Sequence, residues 1–187
     1  MRIRPAVALA CLATVAAADW TIRARRPRWI VVGLLDEPAH LATAGLILLN
    51  LTPRSPEWAA GFMAGGALPD LDHVPLALSR IHPDVDEPRP VTHCLLAASP
   101  LAAAATLVGA GPTRDALAGA AVGTLAHFAR DLAVGTGVAL FQPLVRRNLK
   151  LPYPLYAAAL TALTLRVLLI NGQRNSSRKG ATLPVGL

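Results

Sequence analysis

The stretch Leu68-Pro69-Asp70-Leu71-Asp72-His73 puts three groups able to bind a metal into four positions of an otherwise apolar chain. Two further clusters accompany it. Asp36, Glu37 and His40 interrupt the hydrophobic run Ile30–Leu51, and His127 and Asp131 interrupt the run Asp115–Phe141. A carboxylate in or near hydrocarbon is costly unless it is paired or coordinates a cation, so these groups are expected to share one site. Asp36 and His40 are four residues apart, as are His127 and Asp131, so each pair falls on one helical face. Such a pair can ligate one ion, or the carboxylate can orient a ligating imidazole. Asp70 and Asp72 flank Leu71 in what should be extended or turn backbone, which lets both carboxylates reach one cation. The ligands on offer are His40, Asp70, Asp72, His73, His93, His127 and Asp131, with Asp36 and Glu37 in reserve. That set exceeds what one tetrahedral zinc needs. It suits one divalent ion with further side chains orienting its ligands, or two ions about 3.5–4 Å apart bridged by a carboxylate. Imidazoles mixed with carboxylates favour Zn first and Mn or Fe next, over Ca or Mg.

Composition indicates what must position these groups. Of the 187 residues, 53% are hydrophobic and only 16% charged, against roughly 25% charged in soluble domains, and the mean hydropathy is +0.46. The expectation is a single integral-membrane domain over residues 1–187, all-α, a polytopic bundle of five to six helices with a polar metal site near one membrane face. Six apolar segments are visible. Pro5–Trp20 resembles a signal peptide, but the basic cluster after it favours a short membrane helix. Trp29–Leu51 is long enough to span, since about 20 helical residues cross a bilayer core. Glu57–Leu68 is too short to cross unaided and should be tilted or half-inserted. Val91–Ala110 should be kinked at Pro100. Asp115–Phe141, capped by Thr113, and Tyr153–Ile170 complete the set. Residues 82–90 read as a solvated polar loop, and residues 172–187 as a flexible tail. No segment alternates with period two, so almost no strand is expected.

The formal charge of +7 and the basic pI do not indicate nucleic acid, and no nucleic-acid partner is expected. The bases gather at the ends of apolar runs, as in Arg23–Arg28 and Arg146–Lys150, with only 4% aromatics for base stacking. That distribution matches cytoplasmic loops and anionic lipid headgroups, so membrane lipid is the expected partner. With Arg23–Arg28 cytoplasmic, the topology carries all the ligand groups to that face of a bacterial-type inner membrane. Cys11 and Cys94 lie far apart in apolar segments and read as small hydrophobes.

Several pieces together make the chain resemble a known family, the membrane-bound metal-dependent hydrolases, also described as LexA-binding, inner-membrane-associated hydrolases. They span about residues 36–156: Asp36-Glu37-Pro38-Ala39-His40, Leu68-Pro69-Asp70-Leu71-Asp72-His73, Arg89-Pro90-Val91-Thr92-His93, Ala126-His127-Phe128-Ala129-Arg130-Asp131 and Gly137-Val138-Ala139-Leu140-Phe141-Gln142-Pro143. The resemblance implies metal binding through His40, Asp70, Asp72, His73, His93, His127 and Asp131. One departure is that Pro88-Arg89-Pro90 stands where many relatives have His-Arg-Gly.

The expected chemistry is hydrolysis by a metal-activated water, acting on a small-molecule or lipid substrate such as a lipid-linked phosphoester. Glu37 or Asp36 would be the general base, Asp131 would orient His127, and Arg89 or Arg130 would neutralise an anionic substrate group. Two alternatives compete: a transporter or ion conduit, because intramembrane Asp and His mark ion pathways, and a non-catalytic protein whose metal only staples helices together.

Overall fold

The computed structural model describes residues 3–73 and 92–180, with side chains described to residue 173. Six helices, α1 Ile3–Arg25, α2 Trp29–Asn50, α3 Pro56–Gly65, α4 Leu95–Leu107, α5 Pro112–Asp131 and α6 Tyr153–Gly180, pack with a 3-10 turn over Leu68–Asp72. Among the described residues the only β pairing is an isolated antiparallel bridge between Val138 and Leu149. The all-helical expectation holds.

Among the described residues three helices are long and apolar enough to cross a membrane: α1, α2 and the Tyr153–Gln173 part of α6. Their side chains are distributed inside out. Large apolar residues such as Leu34, Leu107, Leu155 and Leu169 face outward, whereas Arg130, Asp131, His40, His93 and His127 are buried. In water this pattern would leave wide apolar patches, whereas in lipid it places hydrocarbon against hydrocarbon and polar groups inside. The interior between α1, α2 and α6 is built on Ala8, Ala18, Ala39 and Ala42, small residues that let the helices approach closely. Along it, α1 runs antiparallel to α2, with Arg4 bonded to the Leu49 carbonyl. Thr43 bonded to Tyr156 and Asn50 bonded to the Leu163 carbonyl make α6 parallel to α2.

The closest approach is between α3 and α5. Ser55 caps α3 by accepting from Trp58 N at 3.1 Å, and Pro56 opens the helix. Gly61 and Gly65 then face Ala116 and Ala120, and Gly119 and Gly123 face Trp58 and Phe62, so the two helices run parallel with backbones touching. A Cβ at any of these four glycines would overlap a carbonyl of the other helix. With 10 residues, α3 is about 15 Å long, too short to cross a bilayer core of about 30 Å.

Several boundaries differ from the sequence reading. The first helix continues through Arg25, gaining a span's length. Its end is closed by Arg26 N donating to the Ile22 carbonyl, with Arg26 in left-handed backbone at φ 42. Helix ends usually give that conformation to glycine, and a side chain there costs about 1–2 kcal/mol. The fourth helix is shorter than expected, Leu95–Leu107, and contains Pro100. The fifth ends at Asp131 instead of Phe141, because Gly135 and Gly137 both take positive φ and turn the chain into the Val138–Leu149 bridge. Gly111, not Thr113, occupies its N-cap, and no side chain caps it. Residues 172–180, expected as tail, continue α6, since no proline interrupts the polar run before Pro184. The expected loop 82–90 lies outside the described residues.

Gly119→Leu is expected to drive α3 off α5 and lower stability by at least the ~1–3 kcal/mol of overpacking. Gly33→Leu, where a Cβ meets nothing within 4 Å, should cost far less. Thermal unfolding of both variants in detergent checks this; equal losses would refute the backbone contact.

Candidate metal centre

The three sequence clusters meet. Asp36 and His40 come from α2, Asp70 and Asp72 from the 3-10 turn with His73 just after it, Thr92 and His93 from the segment before α4, and His127 and Asp131 from the end of α5. His40 Nε2 lies 3.3 Å from Asp131 Oδ1, 3.6 Å from Asp36 Oδ2 and 3.8 Å from Asp70 Oδ2. His93 Nε2 is 3.3 Å from Asp70 Oδ1, and its Nδ1 is 3.4 Å from Asp72 Oδ2. His73 Nδ1 is 2.7 Å from Asp72 Oδ1. The His40 and His127 rings stack with centroids 3.8 Å apart. His40, His93, His127 and Asp131 have no exposed side-chain surface, whereas Asp70, Asp72 and His73 keep 18%, 20% and 32%. The cluster therefore opens on the side of the turn.

His127 fixes the chemical sense of the site. Its Nδ1 stands 2.9 Å from the Gly66 carbonyl, which can only accept, so Nδ1 carries the proton. In the neutral ring, Nε2 then presents a lone pair. That buried nitrogen makes no hydrogen bond and faces Asp131 Oδ2 at 3.2 Å and Asp70 Oδ1 at 3.6 Å. An acceptor surrounded by acceptors is unfavourable without a cation among them. His40 Nδ1 and Nε2 likewise lack a hydrogen bond. Donor spacing agrees with a small divalent ion. Ligands at about 2.0–2.2 Å from a tetrahedral centre lie roughly 3.3–3.6 Å apart, and the contacts above cluster around that range. Two separate groups each offer one atom per residue within 4.8 Å of one another: His40, His127 and Asp131, and Asp70, His73 and His93. The residues fit one or two ions.

The turn carboxylates are poised as anions. Burial pushes the Asp70 carboxyl up, but the hydrogen bond with His93 and the charge of His40 oppose it, and the carboxyl falls below the usual carboxylate range. Burial also raises the Asp72 carboxyl, and hydrogen bonds with His73, His93 and Thr92 override it and bring it below the usual carboxylate range.

Beside this cluster lies a network the sequence reading missed. Arg130, expected as a substrate-binding base, is completely buried and committed elsewhere. Its Nη2 stands 2.8 Å from Asp19 Oδ1 and 2.5 Å from Asp36 Oδ1, and its Nε donates to Asp36 at 3.0 Å. It is not available to a substrate. Asp36, one of the two expected general bases, bridges Arg130 and His40. Asp19 also accepts from Tyr153 at 2.8 Å. A lone acid in an alanine-rich apolar helix was the available signal for Asp19. Thr92, which donates to Asp72, had no signal beyond its place next to His93. Glu37 reaches Asp70 and is half-buried, with Oε2 making no hydrogen bond. Arg89 lies outside the described residues.

His40 stands eleven residues from Trp29 and ten from Asn50, halfway along α2. The half-length helix α3 delivers Asp70 to the same level.

Fold and site together define a helical membrane protein with a buried histidine–aspartate centre. A family model described as YdjM inner membrane protein matches residues 35–187. The chain belongs to that family and is an integral protein of the inner membrane. No curated protein and no solved structure matches it.

Arg130→Met should leave Asp19 and Asp36 buried without a cation and cost about 3–5 kcal/mol. Adding Asp19→Asn should recover part of that loss. A double-mutant cycle by thermal unfolding measures the coupling, and simple additivity would contradict the network.

Proposed function

We propose that the protein is a membrane-embedded metal-dependent hydrolase whose site faces the cytoplasm. The observation that carries this reading is the lone pair of His127 Nε2 directed at two carboxylates, an arrangement that asks for a cation. His40, His127 and Asp131 would hold one ion, and His73, His93 and Asp70 a second or the remainder of the same sphere, with Asp72 bridging His73 and His93. A divalent ion bound there supplies a Lewis acid, which acidifies water and stabilises charge developing on the scissile group. The protein's own groups do the rest. The Gly66 carbonyl orients His127 through Nδ1, and Glu37, with one uncommitted oxygen, accepts the proton of the attacking water. Burial of the imidazoles excludes bulk water, and the exposed edge at Asp72 and His73 is the side from which a substrate reaches the centre. A lipid or lipid-linked phosphoester suits a site inside the membrane. Arg23, Arg25, Arg26, Arg28, Arg146, Arg147 and Lys150 flank one end of the bundle, and this charge bias supports a cytoplasmic orientation.

The midpoint position of His40 along α2 favours a second reading, an ion pathway. The two readings separate experimentally. Purified protein is expected to carry Zn, Mn or Fe by elemental analysis, and His127→Ala and Asp131→Asn should lower metal affinity by about 10–100-fold or more. Glu37→Gln should keep the metal and slow hydrolysis of phosphodiester or phospholipid substrates by about 10²–10⁴-fold. Hydrolysis unchanged in both Glu37→Gln and Asp72→Ala would defeat the catalytic reading, and metal flux into proteoliposomes would put the conduit in its place.

A further inference from the structure

A second polar site lies apart from the histidines. Between the end of α1, the connection from Ala133 to Pro152 and the start of α6 is a cavity of about 910 Å³, at the upper end of the roughly 300–1,000 Å³ usual for ligand sites. Arg23, Arg26 and Lys150 line it, together with the apolar Ile22 and Leu151 and the ring of Tyr153, and among the described residues no acidic one does. Arg23 lies 3.4 Å over the Tyr153 ring, and Lys150 Nζ donates to the Gly135 carbonyl at 2.5 Å. Both contacts are to neutral groups, so the cations are held in place without being neutralised. Among the described residues the arginine–carboxylate pairs are those of Arg130. Arg23 belongs to α1, Arg26 to the link after it and Lys150 to the segment before α6, so only the tertiary fold brings them together. Arg26 does so from left-handed backbone that a glycine would occupy without strain.

The cavity sits at the last turn of α1 and the first residues of α6, two helices long and apolar enough to cross a membrane; α1 carries an exposed Trp20 near that end, and α2 opens on Trp29. Aromatic residues at this position mark the headgroup level. Basic pockets between membrane helices at that level recognise phosphate, and Ile22 and Leu151 give the adjoining apolar surface. We infer that this groove binds an anionic phosphate ester at the membrane–water boundary, with Arg23, Arg26 and Lys150 as its ligands. The site stands independently of the hydrolase reading, since none of its residues belongs to the histidine–aspartate cluster.

Native mass spectrometry of the full chain in detergent tests it with three probes: phosphatidylglycerol, phosphatidylcholine and glycerol 1-phosphate. Phosphatidylglycerol is expected to bind several-fold more tightly than the zwitterionic phosphatidylcholine. Lys150→Gln and Arg26→Gly should each weaken it about fivefold, while Arg147→Gln, exposed and outside the groove, should leave it unchanged. Because Arg26→Gly relieves a strained backbone, its loss of binding cannot be blamed on misfolding, and its melting temperature should not fall. Glycerol 1-phosphate that competes with the lipid at equal affinity identifies a free phosphate ester as ligand, and failure to compete identifies the lipid. Equal retention of the two lipids, no binding of any probe, or an Arg147→Gln loss as large as that of Lys150→Gln would overturn the assignment.

Discussion

Charge compensation in a low-dielectric interior governs how this bundle is assembled. Asp19 from α1, Asp36 from α2, Asp131 from α5 and Asp70 from the turn all point inward, where an unpaired carboxylate would cost several kcal/mol. Arg130 answers two of them, clamping α1 and α2 against α5, and Tyr153 and Tyr156 of α6 complete the set of partners. Asp70 and Asp131 lie instead among the imidazoles of His40, His93 and His127. Those carboxylates, together with a histidine lone pair aimed at them, are the physical case for an ion. Structural and chemical needs are thus divided between adjacent clusters that share Asp36.

Backbone contact between α3 and α5 serves the same centre. The glycines that let the helices touch also set the height of the Gly66 carbonyl opposite His127. A wider separation would break that hydrogen bond, and with it the constraint on the ring tautomer. The half-length of α3 matters equally, because it ends in mid-bundle and leaves Leu68–Asp72 as turn backbone beside polar partners. Irregular backbone at that depth is tolerated only where it is enclosed by protein or lines a cavity.

Much of this was legible in the sequence because hydrocarbon is an unforgiving solvent. Polar residues in apolar runs stood out at once, and the four-residue spacings of Asp36 with His40 and His127 with Asp131 put each pair within reach, as the distances of 3.6 and 3.2 Å bear out. Helix ends were less legible. The chain leaves α5 at Asp131 although its hydropathy continues, since positive-φ glycines at 135 and 137 outweigh the apolar run. Arg130 was misjudged for a related reason. A base in sequence next to a cluster of imidazoles and acids looks like a ligand for an anion, and only the packing of α1 and α2 shows it already engaged on two sides.

What the sequence determined on its own was the class of molecule: helices crossing a membrane, and a set of imidazoles and carboxylates that hydrocarbon forces into company. Those conclusions depend on transfer energies and on the 3.6-residue helical period, both local properties. Tertiary structure alone decided which acid pairs with which base, which nitrogen of His127 bears its proton, how deep the cluster lies along α2, and that Arg23, Arg26 and Lys150 line one groove. Each depends on interhelical distances of a few ångströms, set by glycine contacts and helix direction, which no single segment contains.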